Sequence, residues 1–160
     1  MRKLLFAASL MLAIPTLTPA LVSPAAAREA SVTVSHAWAR ATAANAMTGA
    51  AYLTLSAVGH ADALVGVSTP VAKTAELHET VEDKGIMKML PVPRLALEPG
   101  TPVTFAPGAY HIMLMGLHHP LKRGESFPMT LQFDHAAPQT VSVTIEGPGA
   151  AGPMEHMQHK

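Results

Sequence analysis

The sequence contains no cysteine among its 160 residues. This absence excludes disulfides, thiolate nucleophiles, iron–sulfur clusters, cysteine-type zinc sites and blue-copper sites, and it leaves these residues no cysteine to carry a lipid. Aromatic residues amount to only 4%, which disfavours a stacking surface for single-stranded nucleic acid. An excess of charge is also missing, because 11 basic residues balance 11 acidic ones, so we expect no nucleic-acid partner.

His and Met are in surplus, with nine His and ten Met in the chain. The length fits a single domain that can bury a core without disulfides or metals to staple it. The sequence has neither a G-x-S-x-G nucleophile motif nor a phosphate-binding loop, so we do not expect an enzyme. The composition therefore directs attention to metal binding.

The first 27 residues are predicted to be a secretory signal peptide. Arg2 and Lys3 form a positive n-region, residues 4–14 are apolar, and residues 25–27 offer an A-x-A cleavage site. The apolar run is shorter than the roughly 20 residues that a membrane span needs, and an uncleaved anchor is the alternative. We therefore expect an exported protein whose mature chain starts near Arg28 and has no membrane span.

Short runs of alternating apolar and polar residues follow, which is typical of β-strands. Gly or Pro stands in nearly every gap between runs, and no long stretch has a helical period. The pattern predicts an all-β domain over residues 28–146, a Greek-key β-barrel or sandwich. The predicted strands are residues 31–35, 50–58, 64–67, 74–81 (helix or strand), 85–90, 103–105, 110–115, 129–133 and 141–145.

One predicted strand carries an imidazole and two thioethers at alternate positions. Because alternate residues of a strand share a face, His111, Met113 and Met115 are expected to point to one side. Ile112 and Leu114 then point to the other side, which is expected to be the core. Taken singly, each Met is better explained as core filling, and a lone His is better explained as a surface or satisfied core residue.

Two further segments add donors of the same kind, since Met87 and Met89 share a face of another predicted strand and His78 lies on a third segment. Thioether sulfur is a soft ligand and imidazole is borderline, so this set favours Cu(I) over Mg, Ca or Mn. Zinc sites use Cys, His and carboxylates and have no preference for Met. Neutral donors without a thiolate are expected to bind Cu(I) reversibly.

The spacing of four of these residues matches the pattern H-x10-M-x21-H-x-M, through His78, Met89, His111 and Met113. In this pattern the sequence resembles the PCuAC family of periplasmic copper chaperones. The likeness covers about residues 31–146. Its other similar segments are residues 37–42, 51–55, 76–79, 85–89, 107–117, 120–121 and 129–133.

The resemblance implies a cupredoxin-like Greek-key β-barrel and Cu(I) binding by His78, Met89, His111 and Met113. It further implies delivery of copper to respiratory cytochrome c oxidase, to the CuA centre in the copper-bearing subunit, in company with a Sco-type thiol protein. A periplasmic copper-sequestering or resistance protein with the same ligands is the alternative. We expect a monomer, since a chaperone must expose its site to a client.

The sequence also departs from the family pattern. Met87 and Met115 are additional thioethers on the predicted ligand faces. We interpret them as neighbours of the ligands or as packing residues, with a substitute ligand as the alternative. The pair His118 and His119 is interpreted as a surface feature, and an auxiliary donor pair is the alternative.

Residues 147–160 are rich in Gly, Ala and Pro and are predicted to be a flexible tail. Some PCuAC-type proteins are similar in carrying a His- and Met-rich extension that adds a second copper site. The tail is thus a candidate second metal site, in which the imidazoles would also suit Cu(II). The alternative is a solvated tail with incidental His. The candidate ligands are Met154, His156, Met157 and His159.

Overall fold

The computed structural model describes residues 31–152. The predicted signal peptide and the candidate tail site at Met154, His156, Met157 and His159 lie outside the described residues. Within the described part, every regular element is a β-strand. In chain order these are β1 (Ser31–Arg40), β2 (Thr48–Val58), β3 (Asp62–Ser68), β4 (Ala72–Asp83), β5 (Ile86–Pro91), β6 (Leu95–Leu97), β7 (Val103–Thr104), β8 (Tyr110–Leu117), β9 (Ser126–Phe133) and β10 (Gln139–Glu146).

Seven of these strands close into a mixed barrel. The order around it is β4-β8-β2-β1-β10-β9-β3, and a pairing of β3 with β4 completes the circle. The β1–β10 pair is parallel, and the other pairs around the barrel are antiparallel. This architecture confirms the predicted all-β, cupredoxin-like fold.

The barrel interior is filled by alternate residues of its strands. Ile112 and Leu114 of β8 have no exposed surface, which confirms that this face of the strand belongs to the core. Leu131 of β9 and Val143 of β10 are equally inaccessible. Each Leu or Val side chain removed from water in this way contributes about 1.5–3 kcal/mol, so the closed barrel holds its wall strands firmly.

The segment at residues 74–81, which was predicted to be either a helix or a strand, is part of strand β4. Strand β6 was not predicted, because three residues between prolines are too few to show an alternating pattern. Strand β1 runs beyond its predicted end through a bulge, in which His36 has a φ of 52°. The extra residue of a bulge breaks the alternation that the sequence pattern depends on.

Strands β4 and β5 form a hairpin whose two-residue loop is Lys84-Gly85. Both residues have positive φ, 54° and 81°, as a type I′ turn requires. Every residue of β5 is exposed, because the strand pairs only with β4 and lies outside the closed circle. Between residues 31 and 152, no helix is long and apolar enough to cross a membrane.

Candidate metal centre

The antiparallel pairing of β4 with β8 places the two predicted histidine ligands directly opposite each other. His78 pairs with His111, and the centroids of their rings are 5.9 Å apart. Met113 lies two residues further along β8, on the same face as His111. The register, which depends on the whole barrel, thus joins residues 33 positions apart in the chain.

The fourth predicted ligand comes from the hairpin. Met89 of β5 pairs with Thr80 of β4, so it lies on the face that also carries His78. Met89, His111 and Met113 line one cleft of about 360 Å³ at the surface of the barrel. The structure therefore brings the four predicted residues to one face, with three of them in the same cleft.

The wall of this cleft also contains Arg40 and Tyr52. The guanidinium carbon of Arg40 lies 6.0 Å from the centroid of the Tyr52 ring, and Arg40 Nε donates a hydrogen bond to the carbonyl of Ala150 at 3.0 Å. Burial raises the pKa of Tyr52 above its ordinary 10.0, outweighing the lowering effect of the Arg40 charge. Tyr52 is therefore a neutral wall of the cleft at physiological pH.

Burial of the four predicted ligands differs widely. His111 is 5% exposed, the His78 side chain is 12% exposed and Met113 is half-buried, whereas Met89 is 59% exposed. The arrangement has an inner side in the barrel wall and an outer side on the hairpin. A bound ion would be within reach of a second protein.

Hydrogen bonds leave one nitrogen free on each imidazole. His111 Nδ1 lies 3.2 Å from the carbonyl oxygen of Ala109, and His78 Nε2 lies 3.4 Å from Glu76 Oε2. His78 Nδ1 is buried without a hydrogen-bond partner. Buried polar atoms in native proteins nearly always have a partner, and a metal ion would supply one here.

The donor set fits a soft cation better than a hard one. Within residues 31–152, His, Asp and Glu form no group of three that could hold a metal ion. Two imidazoles and two thioethers are instead the ligand types that suit Cu(I). The residues present therefore fit copper.

The residues outside the family pattern are placed as follows. Met87 is 58% exposed, so it is not a packing residue, and its role as a neighbour of the ligands or as a substitute ligand stays a prediction. Met115 is half-buried opposite Thr74 on β4. His118 and His119 are exposed after the end of β8, in agreement with a surface pair.

Sequence reasoning missed two acidic residues. Glu76 contacts His78, and the available signal was the Glu-x-His spacing, because residues two apart on a strand share a face. Asp62 is 5% exposed and accepts hydrogen bonds from the backbone N–H groups of Ala63, His135 and Ala136 at 2.7–3.0 Å. These bonds hold the pKa of Asp62 below its ordinary value, although burial alone would raise it.

A family model described as "Putative lipoprotein LpqE-like" matches residues 32–145. The chain belongs to the LpqE-like, PCuAC-type family. This assignment confirms the resemblance seen in the sequence. The LpqE-like family and its lipoprotein description also indicate an exported protein.

Relatives of this LpqE-like chain include "Putative lipoprotein Lxx21020" from Leifsonia xyli, 36% identical over 117 residues that make up 72% of this chain and 69% of the relative. Among solved structures, the "Copper-bound PCuAC domain from PmoF2" shares the fold, with a TM-score of 0.61, 24% identity and coverage of 73% of this chain and 93% of that domain. The Cu(I) form of DR1885 from Deinococcus radiodurans matches at 32% identity and a TM-score of 0.55, over 76% of this chain and 83% of DR1885.

Proposed function

We propose that this LpqE-like chain is a periplasmic copper chaperone. Its cargo is Cu(I), held by His78, Met89, His111 and Met113. The recipient is the copper-bearing subunit of cytochrome c oxidase, where the ion contributes to the CuA centre. A Sco-type thiol protein acts in the same assembly, and the chaperone works as a monomer without transforming its cargo chemically.

The observation that carries this proposal is the β4–β8 register. It sets His78 opposite His111 with Met113 on the same face, and His78 keeps a buried nitrogen that has no partner. Solved structures with the same fold are described as copper-bound and as carrying Cu(I), which supports copper as the cargo.

Release of the ion depends on the unequal burial of the ligands. Met89 is the most exposed of the four and belongs to a strand outside the closed barrel, so a donor from the recipient can replace its thioether first. His111 and Met113 in the barrel wall then hold the ion until the recipient completes its own set of ligands. Because the chain has no cysteine, an oxidising compartment cannot inactivate the site by disulfide formation.

The tail is proposed as a second copper site, formed by Met154, His156, Met157 and His159. Met154, the first of these candidate ligands, follows Ala150 by four residues, and Ala150 packs against the core and accepts the hydrogen bond from Arg40. The proposed tail site would also take Cu(II) on its imidazoles.

Anaerobic titration of Cu(I) against a competing chelator tests the barrel site. The mature chain is expected to bind one Cu(I) tightly in the barrel, and a His111→Ala/Met113→Ala variant is expected to lose that binding. His118→Ala/His119→Ala is the matched control, since it removes two exposed imidazoles outside the cleft. Tight one-to-one binding at the barrel by the His111→Ala/Met113→Ala variant would contradict the proposal.

The same titration on a chain that ends at Gly152 tests the tail and keeps the contact between Arg40 and Ala150. We expect this truncation to lower the total copper stoichiometry or the uptake of Cu(II), while barrel binding persists. An unchanged stoichiometry together with unchanged Cu(II) uptake would exclude a tail site.

Transfer to an oxidase copper domain separates a chaperone from a sequestering protein. The loaded protein is expected to metallate the copper-free domain faster than free copper does. Copper resistance in cells that depends on the protein, without such transfer, would support the sequestering alternative.

A further inference from the structure

The two histidines of the centre differ in which ring nitrogen is left to bind a metal ion. His111 Nδ1 lies 3.2 Å from the backbone carbonyl oxygen of Ala109. A carbonyl oxygen only accepts hydrogen bonds, so in the neutral ring Nδ1 carries the proton. The lone pair of His111 is then on Nε2, the nitrogen at the tip of the side chain.

His78 has the reverse pattern. Its Nε2 lies 3.4 Å from a carboxylate oxygen of Glu76, which also only accepts. In the neutral ring the proton is therefore on Nε2 and the lone pair is on Nδ1. That nitrogen is the buried one without a hydrogen-bond partner.

We propose that Glu76 is a positioning residue, which holds His78 in the tautomer that binds the ion through Nδ1, whereas His111 binds through Nε2. The inference rests on the proposed function, because it concerns the same copper site. Metal-binding histidines almost always donate their second N–H to a carboxylate or a carbonyl, which sets the tautomer and raises ligand basicity. Glu76 and the Ala109 carbonyl are acceptors of these two kinds.

The strand geometry explains why Glu76 can act on His78. The two residues are separated by Leu77, which is buried in the core, so both lie on the outer face of β4. Glu76 is paired with Met113 across the strands, which keeps its carboxylate beside the centre. Its side chain is 51% exposed, so it acts on His78 without being required for the core.

The first test measures the tautomers directly in the metal-free protein, by NMR of the imidazole ¹⁵N nuclei at about pH 8, where an unperturbed His is neutral. We expect His78 to be protonated on Nε2 and His111 on Nδ1. In Glu76→Ala, His78 is expected to become a mixture of tautomers while His111 is unchanged. Glu76→Gln is expected to keep the His78 pattern, because the amide oxygen also accepts a hydrogen bond.

A matched control is Glu82→Ala, which removes the same charge from an exposed position further along the same face of β4. This control is expected to leave the tautomers of His78 and His111 unchanged. A wild-type His78 protonated on Nδ1, or a Glu76→Ala spectrum identical to the wild type, would overturn the proposal.

The second test adds Cu(I). Coordination is expected to shift Nδ1 of His78 and Nε2 of His111, and Glu76→Ala is expected to bind Cu(I) about 10–100-fold more weakly. An equal loss in Glu82→Ala would mean that the carboxylate acts only through its charge, and a shift of His78 Nε2 would mean the wrong nitrogen was assigned; either result overturns the inference. Failure of the proposed function is distinct, because the wild type would then bind no Cu(I) while the metal-free tautomers stayed as described.

Discussion

Strands β8 and β5 each carry Met at alternate positions, yet they place those side chains in opposite environments. Strand β8 is part of the wall of the closed barrel, between β4 and β2, and its residues are buried or half-buried. Strand β5 pairs only with β4 and is exposed along its whole length. The same sequence pattern thus occurs in one buried strand of the barrel wall and in one exposed edge strand.

The difference in burial indicates that the two strands have different roles in binding the ion. Elements with few buried apolar contacts have low local stability and move more readily than the core. We expect β8 to fix the position of His111 and Met113. Strand β5 is expected to be mobile enough for Met89 to bind the ion and to dissociate from it. A chaperone needs both properties, since it must hold its cargo and also release it.

Truncation of a side chain on the core face of β8 is expected to lower the free energy of unfolding more than any other change considered for these two strands. We expect Leu114→Ala to lower the free energy of unfolding by about 2–5 kcal/mol, because it leaves a cavity in the barrel interior. Met87→Ala on β5 is the matched change, expected to remain within about 0.5 kcal/mol of the wild type. Urea denaturation of the metal-free proteins measures both, and equal losses would show that β5 is as firmly packed as β8.

The barrel wall, unlike the hairpin, depends on a buried carboxylate. Asp62→Ala leaves three backbone N–H groups without an acceptor, so we expect a loss of about 2–3 kcal/mol at neutral pH. Because the folded pKa of Asp62 is lowered, its stabilisation is complete above the ordinary value of 3.8 and is lost as the pH falls through the folded pKa. Denaturation at a series of pH values should show wild type and variant converging in acid; a constant difference would contradict this assignment.

The two methionines of β5 differ in their position relative to the cleft. Both are exposed to a similar extent, 58% for Met87 and 59% for Met89, but only Met89 lines the cleft with His111. We expect Met89→Leu to weaken Cu(I) binding by at least about tenfold, or about 1.4 kcal/mol, and Met87→Leu to leave it unchanged. Chelator competition measures both, and a larger effect of Met87→Leu would reverse the assignment of the ligand.

The smallest expected effect concerns the ion pair at the hairpin loop, in which Lys88 Nζ lies 2.5 Å from Asp83 Oδ2. Exposed pairs of this kind contribute about 0.2–1 kcal/mol, so Lys88→Met should change the free energy of unfolding by less than about 1 kcal/mol. Copper affinity should not change. A marked loss of stability in thermal denaturation would mean that the hairpin is held to the barrel more tightly than its exposure indicates.

Much of the site was predictable because the relevant patterns are local. Alternation along β8 separated His111 and Met113 from Ile112 and Leu114, and the spacing to His78 and Met89 matched a known family. Strand β6 and the continuation of β1 beyond its bulge were missed, because three residues and an interrupted alternation carry little periodic signal. The buried role of Asp62 was also missed, since two of its three hydrogen-bond donors come from residues more than 70 positions away.

The amino-acid sequence sets which donor groups this protein has, namely imidazoles and thioethers but no thiolate, at spacings that place them on strand faces. The fold then sets how these groups are used. Closure of the barrel set His78 opposite His111, left Met89 on an exposed edge and buried one nitrogen of His78 without a partner. The physical reason is that strand alternation depends on neighbouring residues, whereas register and burial depend on hydrogen bonds and packing between strands distant in the chain.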